Sequence, residues 1–371
     1  MSVKVAKSPS VKDYTIVVVG SHSALDVCRG AKDEGFKTLV IVESGRDQTY
    51  AKYFKTQGEI GCVDEVLYVD RFHDILSTEI QKQLIAKNTI FIPHRSFEVY
   101  INDYGAIEKD FKVPVFGNKY ILRIEERNLH PNQYDLLEKA EIKFPVTFKK
   151  PEDIDRLVIV KVAESQRKFE RAFFLASSAK DYKVASEILM LEGKITEEAL
   201  NSAVIEEFVL GAQVNFNFFR SMIHNRLELI GTDTRRQTNL DGLLRLPAFY
   251  QNQLQEKLDL KYEEAGHIAV TTLESLLEPA YAMGERFISA ASEFCQPGII
   301  GPFGLQAVIT AGPPKKDIVV FDVSPRMPGS PGISATPYSA YLFGKSISMG
   351  RRLALEIRES VEKNQLSQIT T

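Results

Sequence analysis

The sequence predicts an α/β fold that opens as a doubly wound parallel sheet and passes into antiparallel sheet, α+β in character, towards its end. Three observations predict this. Short apolar β-branched runs at 14–20 and 37–42 flank a helical segment, which makes a βαβ unit. Runs at 65–69 and 88–93 repeat the pattern. Farther on, residues 213–219 alternate polar and apolar side chains, as an antiparallel strand with one polar face does.

The elements follow in order. The run at 14–20 ends at Gly20 and reads as a buried strand. A polar turn at 21–23 leads to a helix that stops near Gly35, and residues 1–120 form a Rossmann-like first domain. Strands at 157–161 and 172–176 are separated by a charged turn, and a helix at 181–192 and a strand at 203–210 complete a block over 121–210. The block 211–371 holds strands at 213–219, 227–231, 303–309 and 318–324. It also holds a long helix at 273–294, with Leu273, Leu276, Leu277, Met283, Phe287 and Ile288 as apolar members, and an amphipathic helix at 351–362. There is no internal repeat and no low-complexity tract.

Composition narrows the function. The 371 residues are 44% hydrophobic and 26% charged, which excludes a disordered chain, a collagen and a coiled coil. Net charge is −3 from 46 basic and 49 acidic residues, unlike a dedicated nucleic-acid binder. No apolar run approaches the roughly 18 residues a membrane span needs. The first residues lack the apolar core of a signal peptide. Cys28, Cys62 and Cys295 are scattered without CxxC spacing, as expected for a reducing cytoplasm.

Four features carry chemistry. In 318–326, Asp322, Ser324 and Arg326 share one strand face. Gln306 is the polar member of the neighbouring run. An amide oxygen and a carboxylate in one cavity suit Mg²⁺, with Arg326 beside a polyphosphate. The alternative is a strand surfacing with polar residues at a frayed end. Lys161 closes an apolar strand, either as an edge residue or as a phosphate contact. Glu206 and Glu207, before Phe208 and Val209, form either a hinge beside an adenine or an ordinary acidic strand start. Gly20-Ser21-His22-Ser23 sits at a strand-to-helix turn suited to an anion, or is a plain serine cap. Pro93-His94-Arg95-Ser96 follows another buried strand at the same sheet edge, where ligands of open α/β sheets bind. Other motifs fail. Gly344-Lys345-Ser346 lacks the earlier glycine of a phosphate loop, no GxGxxG follows the first strand, and no GxSxG is present.

Together these features resemble the ATP-grasp superfamily. More narrowly, the chain is similar, over about 14–360, to the archaeal formate-dependent 5-formaminoimidazole-4-carboxamide ribonucleotide (FAICAR) synthetases of purine (IMP) biosynthesis. The matching blocks are 20–24, 30–36, 92–96, 115–118, 238–242, 301–306, 337–339 and 348–351. The resemblance implies a substrate domain over 1–120, an ATP-grasp lid over 121–210 and a metal-bearing ATP-grasp domain over 211–371. It implies a ligase that joins formate to the 5-amine of AICAR while ATP becomes ADP and phosphate. His22, Ser96 and His267 would contact AICAR. Lys161, Glu206, Glu207, Phe208, Val209 and Gln237 would contact ATP. Gln306 and Asp322 would hold Mg²⁺, with Mn²⁺ as an alternative, and Lys161, Arg326 and His22 would act in catalysis. A cytoplasmic homo-oligomer without nucleic-acid or membrane partners is expected. The lid departs from the family: residues 163–172 lack glycine, so Arg167, Lys168 and Arg171 would replace backbone cradling of phosphates. That departure keeps two rivals open, a ligase for another acid or amine and a non-catalytic nucleotide-binding regulator.

Overall fold

The computed structural model describes residues 10–127, 129–162, 173–238, 240–255, 264–312 and 314–371. Three sheets organise it. The first is parallel: β1 (Thr15–Val19), β2 (Lys37–Glu43), β3 (Glu65–Val69) and β4 (Thr89–Phe91), in the order β3-β2-β1-β4. Period-two alternation gives it two cores. Ile16, Val18, Val40 and Val42 face the helices Ala24–Asp33 and Met349–Glu362, while Val17, Val19, Leu39 and Ile41 pack with Phe91, Phe97 and Phe111.

The second sheet is antiparallel: β5 (Thr147–Phe148), β6 (Val158–Lys161), β7 (Phe173–Ala176) and β8 (Val204–Glu207), in the order β5-β8-β6-β7. The strand expected over 203–210 ends at Glu207. Phe208 and Val209 lie beyond it, and the Phe208 N–H donates to the Leu157 carbonyl at 2.9 Å.

The third sheet orders β9 (Ala212–Ser221), β10 (Arg226–Gln237), β11 (Glu264–Ala269), β12 (Gly301–Thr310) and β13 (Asp317–Ser324) as β11-β10-β9-β12-β13. One face is apolar: Phe216, Phe218, Leu229, Phe303, Leu305, Val320 and Val323 pack on Met283 and Phe287. Those last two lie on the helix Leu277–Phe294, which a 3-10 turn at Glu274–Leu276 precedes. The other face is polar. Two differences from the sequence expectation matter here. β10 runs six residues past Gly231, and β11 is a strand that the pattern did not announce.

The terminal helix closes the molecule on itself. Ser348 caps it, accepting from the Arg351 N–H at 3.2 Å. The helix crosses Ala24–Asp33 where Gly30 meets Gly350, backbone against backbone, with no room for a Cβ at either position. Beyond it, Val115 and Thr371 exchange backbone hydrogen bonds at 3.0 and 2.9 Å, and Ile369 is fully buried.

Candidate functional site

The site forms where the carboxyl ends of β1 and β4 meet the polar face of the third sheet. At the first edge, both sequence-predicted turns come together. The Ser96 hydroxyl donates to Ser21 Oγ at 3.0 Å, and Tyr100 donates to the same oxygen at 3.4 Å. His22 stacks on His94 with ring centroids 5.3 Å apart, and its Nδ1 lies 3.0 Å from Ser23 Oγ. His22 adopts a positive φ of 50°, in the left-handed region. Its side chain stays open to solvent although protein surrounds it. Partial desolvation, then the nearby cation Arg326 and the His94 and His267 rings, hold its basicity well below the ordinary histidine range, so the imidazole is neutral. His94 is fully buried, its Nε2 faces the Val19 carbonyl at 2.9 Å, and burial lowers its pKa to about 4.

Arg95, in the second of these turns, is committed elsewhere. It pairs with Glu126 at 2.9 Å, Glu98 at 3.5 Å and Glu125 at 3.6 Å. The hydroxyl of the same turn is at the edge, and the charge is not.

The polar sheet face supplies the other wall. Strand register places Asp233, Asn215, Gln306 and Asp322 in one transverse row, as Asp233 pairs with Asn215, Asn215 with Gln306 and Gln306 with Asp322. A bulge follows Gln306, where Ala307 pairs with Val320 and Phe321 is left over. The sequence-predicted pair thus stands side by side. Gln306 Oε1 is buried with no hydrogen-bond partner among the described residues. Asp322 accepts from Arg127 Nη2 at 2.7 Å. Among the described residues no three His, Cys, Asp or Glu side chains form a metal cage. Two adjacent oxygen donors, one of them unpartnered, fit a hard cation whose shell is completed by phosphates and water.

Along β10 the polar face continues through Asp233, Arg235 and Gln237. His267, opposite Arg235 on β11, bonds to Asp233 through Nδ1 and lies 2.7 Å from Glu264 Oε1 through Nε2. Burial opposes its protonation, but the bonds to Asp233 and Glu264 overcome this and raise its pKa to about 9. Asn215 and Asn217 donate to the same Asp233 carboxylate at 2.9 and 2.6 Å. Ser330 Oγ lies 3.2 Å from His267 Nδ1 and follows Gly329, which carries the His22 ring. The structure thus brings His22, Ser96 and His267 together through Ser21, Gly329 and Ser330.

The second sheet contributes an ion pair between Lys161 and Glu206, which also accepts from the Tyr134 hydroxyl. Burial lowers the Lys161 pKa to about 8. Arg127 Nε donates to Tyr134 at 3.1 Å, so Lys161, Glu206, Tyr134, Arg127 and Asp322 form one connected polar chain. Arg127 and Tyr134 escaped the sequence reading, because their carboxylate partners Asp322 and Glu206 lie 195 and 72 residues away and no local spacing marks them. Glu207 turns aside, towards Arg156 at 3.9 Å and the Val146 N–H at 3.3 Å. Arg326 is buried, with Nη2 on Glu125 at 2.8 Å and Nη1 on the Met327 carbonyl at 3.2 Å. The Gln237 N–H donates to Asp241 at 2.7 Å at the end of β10. Arg167, Lys168 and Arg171 lie outside the described residues. The three cysteines are free, and among the described residues no helix is long and apolar enough to cross a membrane.

Comparison with known proteins identifies the family. A protein family of unknown function (DUF1246) matches residues 16–148, and a domain of unknown function (DUF1297) matches 181–371. The chain is 39% identical over 362 residues to the 5-formaminoimidazole-4-carboxamide-1-(beta)-D-ribofuranosyl 5'-monophosphate synthetase of Methanopyrus kandleri, covering 97% of this chain and 96% of that protein. The synthetase of the same name from Methanothermobacter thermautotrophicus is 39% identical over 365 residues, covering 98% and 96%. The crystal structure of an IMP biosynthesis protein PurP from Thermococcus kodakaraensis superposes with a TM-score of 0.71 at 28% identity, over 96% of this chain and 100% of that one. An ADP complex of N5-carboxyaminoimidazole ribonucleotide synthetase shares the ATP-grasp fold, with a TM-score of 0.58 at 12% identity over 91% of this chain and 78% of that one. With relatives of this identity matched from end to end, the chain belongs to the 5-formaminoimidazole-4-carboxamide ribonucleotide synthetase family.

Proposed function

We propose that this protein ligates formate to the 5-amine of AICAR with hydrolysis of ATP, giving FAICAR, ADP and phosphate. One observation supports it most: the Ser21–Ser96 edge, suited to a 5′-phosphate, and the Gln306–Asp322 pair, suited to a metal–polyphosphate, are linked by neighbouring contacts that run from Asp322 through Arg235, His267 and Ser330 to Gly329 and His22. In this reading residues 1–120 hold AICAR, while 121–210 and 211–371 hold ATP.

The ribonucleotide phosphate lies at the N-terminus of the helix Ala24–Asp33, within reach of the Ser21 and Ser96 hydroxyls. Glu206 and the backbone after it, through Phe208 and Val209, flank the adenine, with Glu207 at the rim and Gln237 at the end of β10. Lys161 and the lid cations Arg167, Lys168 and Arg171 neutralise the polyphosphate. Gln306 and Asp322 would hold Mg²⁺ or Mn²⁺, which supplies charge neutralisation at the transferred phosphoryl group. A formate oxygen attacks the γ-phosphorus, the bond to ADP breaks, and formyl phosphate forms. The 5-amine then attacks the formyl carbon, phosphate leaves, and neutral His22 stands where it accepts the amine proton. Arg326, held by Glu125 under His22, contributes positive potential rather than a direct fork to phosphate. The enzyme works in the cytoplasm, and a homo-oligomer is expected.

The test is direct. Purified protein with ATP, Mg²⁺, formate and AICAR is followed for FAICAR, each component being omitted in turn. Turnover that persists without formate, or that requires another amine, overturns the reading in favour of a related ligase. Binding of AICAR or ATP without any turnover would indicate a regulator instead.

A further inference from the structure

The reaction needs a small carboxylate held at one place, in line with the transferred phosphoryl group and within reach of the ribonucleotide amine. None of the residues assigned so far holds it. The cleft's cations differ in how far they are already used. Lys161 is paired with Glu206. Arg127 donates to Asp322 and Tyr134. Arg95 faces three carboxylates. Arg326 is buried between Glu125 and Glu98.

Arg235 differs in degree. Its Nε, like that of Arg326, has no hydrogen-bond partner among the described residues, but the terminal nitrogens of Arg326 are both hydrogen-bonded, to Met327 and Glu125. Its carboxylate neighbours stand off, Glu264 Oε2 at 3.5 Å from Nε and Asp322 Oδ2 at 3.9 Å from Nη2. Its side chain is 17% exposed, so the guanidinium is largely shielded and still reachable. A shielded guanidinium with an unused donor is costly unless an anion completes it.

Its position is equally specific. Arg235 pairs in register with His267, and Glu264 lies between the two, one oxygen on His267 and the other facing Arg235. On its other side is Asp322. Arg235 therefore stands between the metal-phosphate end and the ribonucleotide end of the cleft, near the end of β10, where that strand pairs with the edge strand β11. A guanidinium presents two parallel N–H donors, which match a carboxylate.

We propose that Arg235 binds the one-carbon carboxylate co-substrate, through its guanidinium fork, between the metal pair and the ribonucleotide amine. This rests on the function proposed above. The fork holds formate while one of its oxygens attacks the γ-phosphorus and ADP leaves. It then stays on the acyl oxygen as the amine adds to the carbon, phosphate departs with the C–O bonding pair, and the amine gives up its proton. Arg235 neutralises charge in both steps and exchanges no proton.

The experiment uses the full chain with Arg235→Lys and Arg235→Gln. Formate is varied at saturating Mg²⁺–ATP and AICAR. AICAR affinity is measured separately by calorimetry, and ¹³C-formate binding by NMR line broadening with AICAR and a non-hydrolysable ATP analogue. Arg235→Gln should raise the formate KM about tenfold or more, and Arg235→Lys less, because a point charge lacks the fork. AICAR affinity should change less than about twofold, and the formate broadening seen with wild type should disappear in Arg235→Gln. An unchanged formate KM, or an equal loss of AICAR affinity, overturns the assignment. Wild type that turns over only with a different small acid defeats the function reading alone, and that acid's KM in the two variants then decides on Arg235. If the Gln variant fails to fold, the Lys variant and the NMR titration decide.

Discussion

The His22 imidazole rests directly on Gly329: a side-chain carbon at position 329 would lie 2.6 Å from Nε2. The turn after β1 and the loop after β13 thus share one contact at the centre of the cleft. Gly329→Ala should push the ring aside without disturbing the core, since an imidazole can rotate and a packed backbone cannot. AICAR affinity should fall by about 1–3 kcal/mol, the range for a lost hydrogen bond to a charged group. The melting temperature should stay close to wild type. Calorimetry with AICAR and a thermal scan check both, and unchanged affinity would remove His22 from the ligand.

Asp322→Asn should abolish turnover and leave AICAR binding nearly intact, because the carboxylate serves the metal-phosphate end. Arg127 loses its carboxylate partner in this variant and keeps Tyr134 and the Phe321 carbonyl, so a small loss of stability should accompany it. Titration of Mg²⁺ into the turnover assay is the check. Wild-type rates at limiting Mg²⁺ would show that Asp322 is no ligand.

If the Ser21–Ser96 edge takes the phosphate of AICAR, the bare nucleoside should bind far more weakly than the nucleotide. His22→Ala should weaken the nucleotide by about 1–3 kcal/mol and leave ATP affinity, measured alone, unchanged. Equal affinities for nucleotide and nucleoside would move the phosphate away from this turn.

The His267–Asp233 pair makes a pH prediction. His267 is raised to about 9 in the folded protein, above its ordinary value, so its contribution is fully present below about pH 6.5. It is lost as pH rises through about 9. Asp233, Glu264, Arg235 and Ser330 face the ring, with His22 nearby. Urea unfolding at pH 6.5 and pH 10 should show a larger loss for wild type than for His267→Asn, by on the order of 3 kcal/mol. Parallel losses would refute the ion pair.

Gly350→Ala should destabilise the fold by about 1–3 kcal/mol or more, because the added methyl meets the Asp26 backbone, which cannot rotate away. Chemical unfolding measures this directly. A neutral effect would mean that the two helices can separate at no cost.

The sequence made the parallel sheet legible because its strands are buried on both faces and read as unbroken β-branched runs, as at 15–19 and 37–42. The Gln306–Asp322 pair was legible because period two fixes a face and antiparallel neighbours share it. β11 was not, since Glu264-Ala265-Gly266-His267 carries no apolar alternation: its polar side faces a cleft instead of a core. The second half of β10 hid for the same reason, and with it Asp233 and Arg235. Arg326 reads from its strand face as a phosphate contact, but its guanidinium is held by Glu125, which lies 201 residues earlier. Local spacing cannot announce such a pair.

The closure of the terminal helix onto Ala24–Asp33, and of residues 369–371 onto 115–117, sets an order of events at the ribosome. Val18 and Val27 emerge early, but the Leu353 and Ile357 side chains that share their core come more than 320 residues later. At ordinary elongation rates that interval is roughly twenty seconds to a minute. Throughout it, one face of the nascent first sheet is covered by Ala24–Asp33 and lacks the terminal helix that completes its core. The edge after β1 therefore gains its full packing only when synthesis is nearly over, and a nascent chain stalled before residue 349 would leave that core incomplete and a ready surface for chaperones.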